Sequence, residues 1–365
     1  MERGLVPRMP PVTTILVVVA AFLASTAITA FLARFARRAN LLDIPNSRSS
    51  HSTPTPRGGG LAIVVVSMLA VILLGATSVL DRALCAAFVG GGTLVATIGV
   101  WDDRFGAPPA LRLCIHFVAA GWVVFCLGGM PPFDCGFGLG SWGFVGDCFA
   151  VVGLVWMINL TNFMDGIDGI AAAEGTFVAG TGALLLMLNG CLGLALASAV
   201  LAAATAGFLV LNWPPARIFL GDVGSGYLGF ALGTLMLAHT WQRPSALWTW
   251  LILLSLFTAD ATITLTIRAI RRVRIYEAHR SHAYQHAARR WGHKAVTGAV
   301  IAINLVWLVP LAVLSDNYPH SAPLVYACAF GLLAAVAVVL RAGREGTGPK
   351  LTDQQMSDPS PQGVS

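Results

Sequence analysis

Eleven apolar runs of about 20 residues leave this chain little choice of fold. They lie near 12–34, 58–80, 84–100, 110–128, 144–162, 169–188, 191–212, 219–240, 246–268, 296–315 and 322–341. A helix of that length spans the ~30 Å hydrocarbon layer of a bilayer. Only 11% of residues are charged, against about 25% in an ordinary soluble domain, so an all-α integral membrane protein of about 11 transmembrane helices is predicted. The first run follows Arg3 and Arg8 and could be read as a cleaved signal peptide. Its apolar core is long for one and no soluble domain follows, so a retained helix is expected.

Basic residues orient the chain. With the N-terminus outside and the C-terminus inside, 19 of the 23 Lys and Arg residues fall on the cytoplasmic side, and only Arg3, Arg8, Arg82 and Arg243 fall opposite. That is the positive-inside pattern. The net charge of +6 is then one basic face, suited to anionic lipid or a phosphorylated substrate. No basic–aromatic module accompanies it, so no nucleic-acid partner is expected. Residues 1–341 read as one polytopic domain. Residues 342–365, rich in Gly, Gln, Ser and Pro, read as a disordered cytoplasmic tail.

The seven cysteines include no Cys-x-x-Cys pair, which argues against a zinc site. Cys135 and Cys148 flank one exported loop and could pair, or remain two apolar thiols. In that loop Phe133, Phe137, Leu139 and Trp142 partly alternate among glycines, as in a short hairpin.

The few acids collect where a membrane protein can keep them cheaply. Asp102 and Asp103 end the third run, Asp165 and Asp168 follow the fifth, and Asp222 begins the eighth. All five fall at the cytoplasmic boundary, where an acid costs less than the ~2.5–3.5 kcal/mol of mid-helix. Carboxylates beside cations suit one task, holding a divalent ion and a phosphate together. Asn159, Asn162, Asp165 and Asp168 recur every third residue, which on a helix makes a slanting polar stripe. Adjacent Asp102 and Asp103 can serve one site only if the helix ends there, and Gly106, Pro108 and Pro109 predict that it does. Pro214 and Pro215 break the seventh run, and Asp222 stands at a glycine-rich helix start whose free N–H groups favour an anion.

Two basic segments complete the set. In 277–294, His279, Arg280, His282, His286, Arg289, Arg290 and Lys294 can donate to phosphate or sugar oxygens, or anchor the chain on headgroups. In 43–63, Arg48, His51 and Arg57 could meet a lipid phosphate, or form an ordinary basic loop. His116 reads as a core histidine. Asp260 lies deeper than the other acids and should face the bundle interior.

In this order, "PTPRGGGLAI", "WDDRFG", "NLTNFMDGIDG", "ARIFLGDVGS" and "HRSHAYQ" resemble the motifs of the polyprenyl-phosphate N-acetylhexosamine-1-phosphate transferases, over roughly residues 40–300. The last motif is similar to O-antigen-initiating bacterial members. The resemblance implies a bacterial inner-membrane enzyme with a cytoplasmic-face active site. It implies Mg²⁺ or Mn²⁺, a UDP-N-acetylhexosamine donor and undecaprenyl phosphate as acceptor. Motif by motif, it implies Asp168 and Asp222 at the metal, and Asp102, Asp103 and Asp165 as catalytic acids, the pair near the acceptor phosphate. Asn162, Asn212 and Phe219 would meet the nucleotide. His279, Arg280 and His282 would meet the sugar and diphosphate, with Arg48, His51 and Arg57 at the lipid phosphate. Ala107 and Arg112 stand where relatives often carry Leu and Lys. Three acids, Asp103, Asp168 and Asp222, are expected to share one ion. A homodimer and an ion-coupled transporter are also compatible with the sequence. So are one-step transfer and a double displacement through Asp102 or Asp103.

Overall fold

The computed structural model describes residues 10–38, 42–43, 53–134, 139–140, 142–273 and 279–344. Among the described residues are fourteen α-helices: α1 (Pro11–Arg38), α2 (Leu61–Ala76), α3 (Arg82–Phe105), α4 (Pro109–Leu127), α5 (Gly143–Phe163), α6 (Ile170–Leu188), α7 (Leu192–Asn212), α8 (Gly221–Gln242), α9 (Ala246–Leu253), α10 (Ser255–Ile270), α11 (Ala283–Trp291), α12 (His293–Ile303), α13 (Val309–Asn317) and α14 (Ala322–Val339). Each of the eleven apolar runs lies on one of these helices or on a consecutive pair. The chain is an all-α integral membrane protein. Among the described residues, eight helical stretches are long and apolar enough to cross a bilayer by themselves. Two two-residue antiparallel pairings interrupt the helical pattern, β1 (Leu42–Asp43) with β2 (Thr55–Pro56) and β3 (Phe133–Asp134) with β4 (Leu139–Gly140). The second is the expected hairpin, and Phe133 stacks on Trp142 beside it.

Three runs differ from a straight span. The run at 58–80 gives only the 16-residue α2. The run at 246–268 is bent by 70° between α9 and α10. The last bond of α9 runs from Leu254 N–H to the Trp250 carbonyl and the first of α10 from Thr258 N–H to the Leu254 carbonyl; at the break the Ser255 hydroxyl donates to the Leu251 carbonyl at 2.8 Å, and no Pro or Gly marks it. The run at 296–315 contains a π-helical turn, Asn304–Leu308. At its start the buried Asn304 donates to Glu174 Oε2 of α6 at 2.6 Å, an intramembrane acid that helical patterning had not singled out.

The core is centred on α8, buried along nearly its whole length. Its small residues let α3 and α5 approach closely. A Cβ at Gly229 would lie 2.2 Å from the Met157 carbonyl oxygen of α5. By contrast α1, α4 and α14 carry exposed large apolar side chains such as Phe31, Phe125 and Val339, the surface that lipid covers.

Ala342 is fully buried, Gly343 N–H donates to the Ser281 carbonyl at 2.7 Å, and His286 Nε2 meets the Arg344 carbonyl at 3.0 Å. Packed structure therefore reaches residue 344, past the expected tail boundary at 342. The tail beyond it, the Cys135–Cys148 pairing, Arg48 and His51 lie outside the described residues.

Candidate active site

The chain folds back on itself at one end of the bundle to bring the acids together. Helix α3 stops at Gly106, with φ of +71°, so Asp102 and Asp103 sit in a terminating turn and point to different partners. Asp103 caps α8. Its Oδ1 accepts from Asp222 N–H at 2.8 Å and its Oδ2 from Val223 N–H at 3.1 Å. Those N–H groups have no partner within their own helix, and a carboxylate satisfies them while complementing the helix dipole. Gly221 makes the approach possible, with φ of +76° and a would-be Cβ only 2.5 Å from Asp103 Oδ2. Asp102 accepts from Ala107 N–H at 2.6 Å and pairs with Arg112.

Two arginines stitch these acids to Asp222. Arg57 places Nε 2.9 Å from Asp103 and Nη2 3.1 Å from Asp222. Arg112 uses one nitrogen, Nη1, for both Asp102 and Asp222, the latter at 3.3 Å. Asn162 Nδ2 donates to Asp222 at 2.7 Å and to Ser225 at 3.1 Å. Arg57 is thus a partner of carboxylates. It was expected at a lipid phosphate; here Asp43 and Asp165 also act on it, beside Asp222 and Asp103. The loop that carries it is strapped to the α7–α8 connection, since Phe219 N–H donates to the Pro56 carbonyl at 2.8 Å and Gly59 N–H to the Phe219 carbonyl at 2.9 Å. The Phe219 side chain is half-buried beside this strap.

The polar stripe does not stay on one helix. Helix α5 ends at Phe163, leaving Asn159 and Asn162 helical and Asp165 and Asp168 in the following loop. Asn159 meets His116 Nδ1 at 3.4 Å, which places that buried histidine in the α4–α5 contact. Asp168 Oδ2 accepts from Ala216 N–H at 3.1 Å and lies 3.3 Å from His293 Nδ1, while Thr297 donates to its carbonyl. Asn212 is 3% exposed. Its carboxamide accepts from Gly169 N–H at 3.0 Å and donates to the Ile218 carbonyl at 2.9 Å. The residue expected to meet a nucleotide thus ties two loops together, with both ends of its amide engaged.

Asp165 makes no side-chain hydrogen bond or ion pair among the described residues. Burial pushes its carboxyl well above the usual carboxylate range; Arg57 opposes this, and Asp222, Asp103 and Asp168 reinforce it. An acid crowded by other acids is what a bound cation relieves. Asp103, Asp168 and Asp222, which were expected to share one ion, are not gathered into one group of ion ligands among the described residues. Asp103 has both oxygens on α8 N–H groups, and no three His, Cys, Asp or Glu residues converge as an ion site among the described residues.

The histidine segment was expected to be a cationic, hydrogen-bonding loop. The structure gives it a short helix, α11. His282 is buried and its Nδ1 lies 3.2 Å from Asp260 Oδ1. His279 bonds Ser281 at 3.0 Å. Burial, aided by His282 and Arg268, lowers His279 to about 4, so at neutral pH it is a neutral hydrogen-bonding ring. Arg280 is half-buried, and its carbonyl accepts from Arg289 Nη1 at 3.1 Å. Tyr284 links this segment to the acid loop, donating to the Phe163 carbonyl at 2.9 Å. Sequence reading missed Tyr284 and His293, because their role depends on segments more than 100 residues away. Arg112 drew notice only as a departure from a motif.

Comparison with known proteins points the same way. Residues 85–240 match the family described as Glycosyl transferase family 4, a stretch that holds all five acids. The chain is 26% identical over 295 residues to a probable undecaprenyl-phosphate N-acetylglucosaminyl 1-phosphate transferase of Bacillus subtilis (strain 168), covering 79% of this chain and 81% of the relative. It is 33% identical over 216 residues to a decaprenyl-phosphate N-acetylglucosaminephosphotransferase of Mycolicibacterium smegmatis, covering 52% and 51%. It is 31% identical over 201 residues to a phospho-N-acetylmuramoyl-pentapeptide-transferase of Limosilactobacillus fermentum, covering 52% and 62%. The latter two alignments thus span less than two thirds of those relatives.

Proposed function

We propose that this chain, whose residues 85–240 match the family described as Glycosyl transferase family 4, transfers an N-acetylhexosamine 1-phosphate from a UDP-sugar to undecaprenyl phosphate. UMP leaves, and the lipid-diphospho-sugar begins an O-antigen or other cell-envelope glycan at the bacterial inner membrane. One observation carries the reading. Five carboxylates from three segments meet at one end of the bundle around two arginines, Arg57 and Arg112, whose side chains keep 40% and 34% of their exposure. Such a site has the charge to hold a metal and the cations to hold phosphates.

In the reaction a lipid-phosphate oxygen forms a bond to the donor's β-phosphorus. The bond from that phosphorus to the bridging oxygen breaks, and UMP departs with the electron pair. The acceptor phosphate, with a second pKa of about 6, is largely dianionic at pH 7, so no strong base is needed. A one-step transfer is favoured because Asp103 and Asp102, the candidate nucleophiles, are already engaged. Asp103 accepts two N–H donors and Arg57, while Asp102 accepts Ala107 N–H and Arg112. Arg57 and Arg112 would exchange carboxylate for phosphate when substrates enter. Asp165, Asp168 and Asp222 would hold a hard divalent ion, Mg²⁺ or Mn²⁺, through carboxylate oxygens, and such an ion would favour the ionised form of Asp165 that burial and the neighbouring acids disfavour. When bound, the ion would offset negative charge on the transferred phosphoryl group. Tight grouping at one end also sets the site apart from an ion-transport path, which uses acids near the midplane.

The test is UMP release by purified, folded protein supplied with undecaprenyl phosphate, Mg²⁺ and a panel of UDP-sugars. Release from at least one N-acetylhexosamine donor, abolished by chelation, is the expected outcome. No release from any of them overturns the reading. A trapped phospho-aspartate would replace one-step transfer by double displacement.

A further inference from the structure

Asp260 lies on α10, outside the segment that matches the family, and four donors converge on its buried carboxylate. His282 Nδ1 lies 3.2 Å from Oδ1, Ala283 N–H 2.9 Å from Oδ1, Tyr284 N–H 2.9 Å from Oδ2, and Thr264 Oγ1 3.0 Å from Oδ1. A carboxylate so surrounded acts only as an acceptor, so His282 must carry a proton on Nδ1. Its Nε2 makes no hydrogen bond among the described residues. The ring stacks with His279 at 5.0 Å and with Tyr284 at 5.6 Å between centroids.

Capping α11 accounts for the two backbone contacts, but a cap needs no histidine. The further link runs through Tyr284, whose hydroxyl donates to the Phe163 carbonyl, two residues before Asp165. One buried carboxylate therefore fixes an imidazole and, through the adjacent tyrosine, references it to the acid loop. Other charged or titratable groups around this unit are Arg268 of α10, which reaches Ser281, His279 in the same loop, His286 of α11 and Arg341 after α14. Asp165 faces Tyr284 from the acid loop.

We infer that Asp260 is a positioning residue of the transfer reaction: it holds His282 as the Nδ1–H form, leaving Nε2 to bind an oxygen of the sugar diphosphate. This rests on the transferase reading above. Neighbouring positioning groups of this kind act as a unit with the residue they orient, so their effects are not additive.

Full-length protein should be compared as wild type, Asp260→Asn, His282→Gln and the double variant. Asp260→Asn keeps size and an acceptor for the α11 cap. We expect it to lower kcat about 100-fold, to change KM for the UDP-sugar by less than about 3-fold, and to move the pH–rate profile. The double variant should be no worse than His282→Gln alone, within about 3-fold. Multiplying losses with an unmoved pH profile, or a kcat loss matched by loss of folded protein, would reduce Asp260 to a structural cap and sink the proposal. Nitrogen-15 histidine spectra give a readout without turnover. The His282 signal, assigned by its loss in His282→Gln, should show a protonated, hydrogen-bonded Nδ1 that Asp260→Asn perturbs. An unperturbed signal overturns the pairing. Should wild type release no UMP from any donor while the spectra show the pairing, the transferase reading fails and the Asp260–His282 contact stands without its assigned role.

Discussion

The two ends of α8 carry polar clusters of similar exposure and opposite character. Just past its C-terminal end, Arg243 lies 3.4 Å from Asp316 Oδ1, donates to Asn189 at 2.8 Å and also reaches the Asp316 carbonyl, while Asn189 donates to Asp316 at 3.2 Å. One cation meets one anion, and the group ties the ends of α6, α8 and α13. At the N-terminal end, about 33 Å away by helix rise, five carboxylates share two arginines and His293. Burial does not separate the clusters, for Arg243 is 33% exposed and Arg112 34%, Asp316 9% and Asp102 9%. Charge balance does. A balanced cluster is complete as folded. An unbalanced one is held against self-repulsion by the rest of the protein, and it is relieved only by a ligand of opposite charge.

Four substitutions or titrations probe that contrast. Asp222→Asn removes a carboxylate from the crowded end and should lower activity about 1,000-fold. The midpoint of thermal unfolding, measured without metal, should hold or rise, since a repelling charge is gone. A fall of several degrees would make Asp222 a structural residue like Asp316. Next, Arg112→Ala should cost about 100-fold in kcat/KM, whereas Arg112→Lys should stay within about 10-fold of wild type. Both contacts of Arg112 come from one nitrogen, so the planar fork that usually distinguishes Arg from Lys is not used. Equal losses in the two variants would show that the fork is needed once phosphate arrives.

At the balanced end the effect should reverse in kind. Asp316→Ala should destabilise by about 2 kcal/mol, the size of hydrogen bonds to charged groups, and leave turnover per folded molecule unchanged. A turnover defect would couple the far end to the chemistry. The smallest effect concerns His279, at the rim of the acid end. Its folded value of about 4 lies below the ordinary 6.5, so the unfolded chain binds the extra proton in that window. The stability it contributes is whole above about pH 6.5 and declines as pH falls toward 4. Thermal midpoints between pH 7 and pH 5 should show a shallower decline in His279→Gln than in wild type.

Local pattern made much of the fold legible. The apolar runs located the helices, Gly106 ended α3 in the right place, and the inward-facing Asp260 could be read from its isolation in an apolar run. The bend at Leu254 was not legible, because no Pro or Gly marks it and a serine hydroxyl that bonds a helix carbonyl, as Ser255 does at Leu251, is also found in straight helices. In the site, the gathering of five acids could be read, since they shared one boundary. Their partners could not. Asp103 caps a helix 119 positions further along, and Arg57 reaches across 165 positions to Asp222. Asn212 looked like a ligand-binding amide, and only tertiary contact shows both ends of that amide engaged. Pairings of this kind depend on how helices cross, which residue order alone does not encode.

The burial of α8 has a consequence for how such a chain can diversify. A helix walled in by neighbours has no lipid-facing flank on which side chains can drift in size, and glycines pressed against a neighbouring backbone accept no methyl group. Variation in what the molecule handles must therefore accumulate in the connections that rim the acid end, while the axis beneath them stays nearly fixed in shape.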